Sequence, residues 1–221
     1  MSRTLPILCA GSVVRNILSG TQTQDRRPVC PMRGLQSTWL TVEGINRSPR
    51  AKMAPLNKAQ HGRDQLGALF AHSLAGQTVG GLVHDEWSPL GWVGAPWSPG
   101  DVLYVRETWM DRDGDGRIIY AADIDNCKQC PLTQPDGSLF RITPKGPWRP
   151  SIHMPKWAAR IHLRVMSVGV ERVNAISEDD ARAEGCASVA EFAALWDRLY
   201  GAGSMASGAW CWVTKFERVA P

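Results

Sequence analysis

The sequence predicts an α+β fold: a small, mostly antiparallel and partly open β-barrel, flanked by short helices and carrying a long loop-rich insertion. Three observations lead there. Strand-type alternation recurs in four separated segments, near 5–9, 102–109, 160–173 and 209–219. In the third, the apolar phase slips by one residue at Met166-Ser167, which marks the bulge or bend that a small barrel needs. Residues 31–98 differ from the rest: Pro, Gly, Ser and Asn recur, and helix periodicity is poor except around Asp64–Ala75. The expected organisation is therefore one domain from 1–30 and 99–221, with 31–98 as a partly ordered insertion.

The elements follow in order. Leu5 to Ala10 reads as a short buried strand. Ser12 can cap a helix whose apolar face is Val13, Val14, Ile17 and Leu18, and Gly20 supplies a left-handed stop. Thr21 to Arg27 is polar and lacks a helix period, so it reads as a strand or rim segment. Pro99-Gly100-Asp101 is a turn signal before a strand over Val102–Trp109. Val102, Tyr104, Arg106 and Thr108 share one face of it; Leu103, Val105, Glu107 and Trp109 share the other. Asp111 to Gly116 reads as a hairpin turn before Ile118-Ile119-Tyr120. A loop, Trp148-Arg149-Pro150-Ser151-Ile152-His153-Met154-Pro155-Lys156-Trp157, then precedes the strand that starts at Ile161. Ser177 opens a short acidic helix. Ser188-Val189-Ala190-Glu191 is a capping box for a second helix, whose stripe is Val189, Phe192, Trp196 and Leu199. The last strand places Trp210, Trp212, Thr214 and Phe216 on one side, with Lys215 and Glu217 opposite.

A chain of 221 residues suffices for one sizeable core, or for a domain with a large insertion. It has no run of 18 apolar residues, and Leu5–Ala10 is too short for a secretory signal, so a cytoplasmic location and no membrane partner are expected. The six cysteines are then expected to be reduced. The net charge of +4 is unevenly spread. Residues 1–63 hold ten Lys or Arg against Asp25 and Glu43, a net of +8; the remainder carries −4. A basic first quarter suits a phosphate-bearing partner; a solvated basic loop is the plainer alternative.

Three motifs carry a family resemblance. Ile17-Leu18-Ser19-Gly20-Thr21-Gln22-Thr23-Gln24-Asp25-Arg26-Arg27 is similar to the opening "I-L-x-G-x-K-T-x-T-x-R" of ASCH domains, the activating-signal-cointegrator homology family. Pro99-Gly100-Asp101 with the strand Val102–Trp109 resembles the second family segment. The Trp148–Trp157 loop resembles one of the phage-borne branch. The resemblance covers 5–30 and about 99–220, not 31–98. It implies a PUA-like barrel, a ligand that is RNA or a modified nucleoside, and a phage-encoded protein acting in a bacterial host.

Family members that hydrolyse acylated cytidines are thought to use a Lys and a Thr of the opening motif with a Glu of the acidic helix. Aligned on Gly20, the Lys position is Gln22, the second Thr position is Asp25, and Thr23 matches the Thr between. Glu184 falls on the Glu position. Gln22 cannot supply a cation or a titratable amine. Asp25 with Glu184 could still form a carboxylate pair for acid–base work, with Thr23 a further catalytic candidate and His153 the alternative assistant to Glu184; otherwise Glu184 is a structural helix-end carboxylate.

The residues suggest binding on their own account as well. Arg26 and Arg27 could clamp a phosphate, or be a surface pair. Arg106, Glu107, Thr108 and Trp109 end a strand where a barrel mouth would lie, or Arg106 and Glu107 form a bridge holding the loop. In the loop, Trp148 or Trp157 could stack a base or plug the barrel; Ser151 and His153 could read its edge; Arg149 and Lys156 could meet phosphate. Cys127 and Cys130 have half of a zinc-site spacing, so zinc is the one cofactor the sequence leaves open. The Asp111–Asp115 run is no EF-hand, because its twelfth position is Ala122.

The favoured function is binding of RNA, single-stranded nucleic acid or a modified nucleoside through a basic, aromatic-lined cleft. One alternative is a small hydrolase, either an amidohydrolase on modified nucleosides or a ribonuclease, with Glu184 as acid or base. The other is a phage assembly or interaction protein that docks through its tryptophan-rich insertion.

Overall fold

In a computed structural model, the structure describes residues 2–30, 42–48, 50–55, 66–73, 77–79, 82–84, 87–111, 118–124, 130–133, 139–142 and 148–220. The fold is mixed α+β, with several open sheets and few helices; no sheet among the described residues closes into a barrel. The strands, in chain order, are β1 (Thr4–Leu8), β2 (Gln24–Pro28), β3 (Arg50–Pro55), β4 (Leu66–Ser73), β5 (Gln77–Val79), β6 (Leu82–His84), β7 (Trp87–Gly94), β8 (Val102–Arg106), β9 (Trp109–Asp111), β10 (Ile118–Tyr120), β11 (Cys130–Thr133), β12 (Leu139–Ile142), β13 (His162–Arg172) and β14 (Trp210–Val219). The helices are α1 (Gly11–Ser19), α2 (Val42–Arg47), α3 (Glu178–Ala183) and α4 (Val189–Tyr200). Among the described residues, no helix is long and apolar enough to cross a membrane. The chain divides into two compact units, Met1–Gln22 with Asp101–Arg164 and Glu217–Pro221, and Thr23–Gly100 with Val165–Phe216.

In the first unit, β1 pairs in parallel with β8, and β8 pairs antiparallel with the start of β13. Alternation on β8 has the predicted sides: Leu103 and Val105 are buried and Tyr104 and Arg106 half-buried. The strand stops at Arg106, and β9 and β10 then make a separate antiparallel hairpin, with Ile118 opposite Asp111. Helix α1 begins one residue before the expected cap. Ala10 is its N-cap and makes no side-chain bond, so Ser12 lies inside the first turn; Gly20 ends the helix at φ 77°, a conformation glycine reaches without a Cβ clash.

In the second unit, β14 pairs antiparallel with β2 and neighbours β13. Trp210, Cys211, Trp212, Val213 and Thr214 are all buried, so this segment has two inward faces rather than the one that its aromatic alternation suggests. Trp210 and Trp212 join Val29, Ile45, Ala68, Val93 and Ala95 in one core. Cys211 and Val213 join Val173, Ile176, Ala181, Phe192 and Trp196 in another, under α3 and α4. The stretch expected as an insertion thus contributes core: β3, β4 and β7 form an antiparallel sheet, and the weakly helical run around 64–75 is strand β4 from Leu66. Arg172 ties this part together, donating to the carbonyls of Asn46, Ser48 and Gly208 and lying 4.3 Å from the Trp210 ring.

The phase slip in β13 is present: Leu163 and Val165 are buried, Met166 and Ser167 are both exposed, and Val168 and Val170 then pack on the Trp210–Trp212 core. Both serine caps form, Ser177 accepting from the Asp180 amide and Ser188 from the Glu191 amide. Glu191 reaches back past the cap and accepts from the amide of Ala187, the residue before it, at 2.6 Å, rather than from that of Ser188 as a full box would. The apolar stripe of α4 ends sooner than expected. Leu199 is exposed, and Tyr200 instead lies 4.5 Å from the Trp196 ring.

Candidate functional sites

The first unit presents a cationic and aromatic surface built by the Trp148–Trp157 loop. The loop is anchored by a two-way backbone pair, Trp109 N to Arg149 O at 3.2 Å and Arg149 N to Trp109 O at 2.8 Å. Arg106 adds a second anchor, its Nε donating to the Met154 carbonyl at 2.8 Å while its guanidinium sits 5.7 Å from the Tyr104 ring. Met154 and Ala158 are buried against Trp109. Neither loop tryptophan is a plug: Trp148 is exposed, and Trp157 is 68% exposed, meeting the buried Trp109 edge-on at 6.3 Å. Ile152, His153 and Lys156 are exposed too, and the exposed Arg149 holds its guanidinium 4.9 Å from the Trp109 ring. Ser151 opens a short 3₁₀ turn, and Thr108, the residue before Trp109, is exposed, its carbonyl accepting from Ala121 N.

Glu107 does not face this surface as a free acid. Its carboxylate is buried and takes two bonds from Arg160, at 2.9 and 3.0 Å. Arg160 also binds Asp123 with two bonds and lies 3.9 Å from the Tyr120 ring. Burial raises the Glu107 carboxyl above its usual range although Arg160 opposes it. The bridge expected between Arg106 and Glu107 is therefore made by Arg160 instead. Sequence reasoning missed Arg160, Asp123 and Tyr120. The available signal was a lone Arg immediately ahead of an apolar strand.

The second unit contains a buried ionic cluster. The Arg26 side chain is 0% exposed. Its Nη1 donates to Glu184 Oε1 at 3.1 Å and its Nη2 to Glu171 Oε2 at 3.0 Å, with Asp180 Oδ2 at 3.4 Å. Arg26 is thus not the surface phosphate clamp expected from its sequence; no part of its side chain reaches solvent. Glu184 accepts also from the Arg26 amide, at 3.2 Å, and from Gln24 Nε2, at 3.4 Å. Three carboxylates around one guanidinium leave an excess of negative charge. The deepest carries the consequence: burial and the charge of Asp25 push the Glu184 carboxyl up to about 7, against the pull of Arg26. Burial also opposes ionisation of Asp180, but bonds from Ser177 and the Arg26 charge outweigh it and keep that acid below its usual range.

Of the two acids expected as a pair, Asp25 adds its charge to the burial that raises Glu184. Burial likewise raises Asp25, against its bond from Arg27 Nε at 2.6 Å. Arg27 is partly exposed, 5.5 Å from the Trp97 ring. Thr214 stands opposite Asp25 in β14, and its buried Oγ1 has no hydrogen-bond partner among the described residues. Thr23 is exposed; its backbone joins Ala183 and Phe216. Cys211 lies close to Arg26, but burial pushes its thiol up to about 12, which removes it as a nucleophile. Gln22 belongs to the first unit, where it is buried and its amide donates to the Asn16 carbonyl. Glu171, Asp180 and Gln24 were not foreseen; each is a polar residue brought in by a separate element.

Cys127 lies outside the described residues, and Cys130 is in β11. Among the described residues, no group of three or more His, Cys, Asp or Glu is placed to hold a metal ion. Comparison of the chain with protein-family models, with curated proteins and with solved structures returns no match.

Proposed function

We propose that this protein binds RNA, single-stranded nucleic acid or a modified nucleoside by stacking a base on Trp157. The observation that carries this reading is a large, exposed indole on a loop anchored at both ends, with Arg149, His153 and Lys156 on the same loop. An exposed Trp costs solvation unless something covers it, and a base does so without regard to sequence. Arg149 and Lys156 supply the positive charge that a phosphate needs. The same reading takes the chain as an ASCH-like, PUA-like domain of phage origin. It rests on the sequence motifs around Gly20, Pro99–Trp109 and Trp148–Trp157.

The test is titration of the protein with nucleosides by tryptophan fluorescence, and with labelled oligoribonucleotides by anisotropy at low salt. Trp157→Ala is expected to weaken binding roughly 5- to 150-fold, the equivalent of about 1–3 kcal/mol per stacked base. Absence of binding by the unmutated protein to every member of both sets would overturn the proposal.

A hydrolase acting through Glu184 is the second reading, favoured by a carboxyl that exchanges its proton near neutrality. Against it, both Glu184 oxygens are already engaged by Arg26 and Gln24, and the expected Lys is Gln22. Binding therefore ranks above catalysis.

A further inference from the structure

The first unit has an open groove of about 440 Å³, lined by Thr4, Val102, Lys156, His162, Arg164 and Val219 among others. Three of these side chains bear or can take positive charge. They come from two elements: Lys156 from the turn that carries Trp157, His162 and Arg164 from β13. Among the described residues that line the groove there is no Asp or Glu. Glu217 pairs with the lining Arg164, Oε1 to Nη1 at 3.3 Å, with both side chains about half exposed, and Asp101, next to the lining Val102, is paired with Arg3. The Nδ1 of His162 is buried and has no hydrogen-bond partner among the described residues. Burial and the Lys156 ammonium hold this imidazole below its ordinary pKa. A groove with cations from two elements spread along it suits an anion bonded at more than one point.

We propose that this groove is the path of a phosphodiester chain, so that the ligand of the Trp157 surface is a single-stranded polynucleotide rather than a free nucleoside. The inference rests on the stacking reading above and deepens it. Lys156 and Trp157 are consecutive residues of one short turn, so a base stacked on Trp157 has its phosphate close to Lys156. The next phosphates then meet His162 and Arg164. The groove walls offer Thr4, Val102 and Val219 but no pattern of paired donors and acceptors, so it reads backbone rather than sequence.

The experiment compares nucleosides, mononucleotides and homopolymeric oligonucleotides of two to eight residues, as RNA and as DNA, across a salt series. The unmutated protein is expected to bind more tightly as length grows from one to several nucleotides. Its affinity should fall with salt on a log–log scale by about 0.7 per phosphate held. Arg164→Gln should reduce that slope by about 0.7, and Lys156→Gln by a similar amount. Glu217→Gln removes the acid paired with Arg164 and should tighten oligonucleotide binding about two- to fivefold, the opposite sign. All three positions are exposed, so circular dichroism should report a folded protein in each case. Equal affinity for RNA and DNA identifies the phosphates as the shared determinant; tighter RNA binding adds contacts to the 2′-hydroxyl without removing the groove. Nucleoside binding with no gain in affinity with length, and slopes unmoved by Arg164→Gln and Glu217→Gln, would overturn the groove while leaving the stacking surface standing. Failure to bind either nucleosides or oligonucleotides would overturn both.

Discussion

Replacing Arg26 by Met separates a buried structural cation from a phosphate clamp. The side chain is fully enclosed and serves three carboxylates at 3.0, 3.1 and 3.4 Å. Methionine fills a similar volume but leaves those acids without their cation. Removing one member of a buried ion pair costs about 3–5 kcal/mol, because a charge is left unpaired. The low end applies here. Glu171 is about half exposed and returns to water, and Asp180 keeps its bond from Ser177. Glu184, only 6% exposed, can take up a proton, since its pKa is already about 7. At about 3 kcal/mol, and with roughly 2–4 °C per kcal/mol for a chain of this size, the melting temperature should drop by about 6–12 °C. The assay is thermal melting at pH 7, alongside the salt dependence of oligonucleotide binding. The salt slope should be that of the unmutated protein. An unchanged melting temperature together with a slope lowered by about 0.7 would refute the argument, since only a solvent-facing arginine behaves in that way.

Three further outcomes are expected. Glu184 holds its proton more tightly folded, at about 7, than at its ordinary 4.5, so its contribution destabilises the fold as pH rises through that window; at 1.36 kcal/mol per unit the change is about 3 kcal/mol. Urea unfolding at pH 5 and pH 8 should therefore show Glu184→Gln gaining on the unmutated protein by about that amount at the higher pH, and parallel profiles would count against the assignment. Arg160→Met leaves Glu107 buried without its partner and should cost about 3 kcal/mol in denaturant stability; a loss under 1 kcal/mol would show that Glu107 does not depend on it. Hydrolysis of N4-acetylcytidine, followed by chromatography, should be slight or nil, and Gln22→Lys should raise any trace, because an amide cannot shuttle a proton or stabilise an oxyanion as an ammonium can; robust turnover abolished by Glu184→Gln would promote the hydrolase.

The sequence by itself determined the features that depend on near neighbours along the chain. The Gly20 stop, the serine caps at Ser177 and Ser188, the Leu103–Val105 alternation and the phase slip at Met166-Ser167 each depend on a few consecutive residues. Their physics is local: a left-handed backbone, an orphan amide, a two-residue period. Asp25 and Glu184 were also paired in advance, but by resemblance to a motif rather than by periodicity. Only the tertiary structure decided what surrounds each charge. Arg26 and Arg27 are adjacent in sequence and equal in charge, yet one is enclosed by acids from β13 and α3 while the other lies partly open beside Trp97. Trp148 and Trp157 were open to either role, stacking platform or plug, and packing left both exposed while burying Trp109 at the start of β9. Arg160 drew no attention because Glu107, Asp123 and Tyr120 reach it from other segments. The reason is common to all three. Burial and pairing are sums over elements distant in sequence, and the energy of a charge or an indole depends on that sum rather than on its own neighbours in the chain.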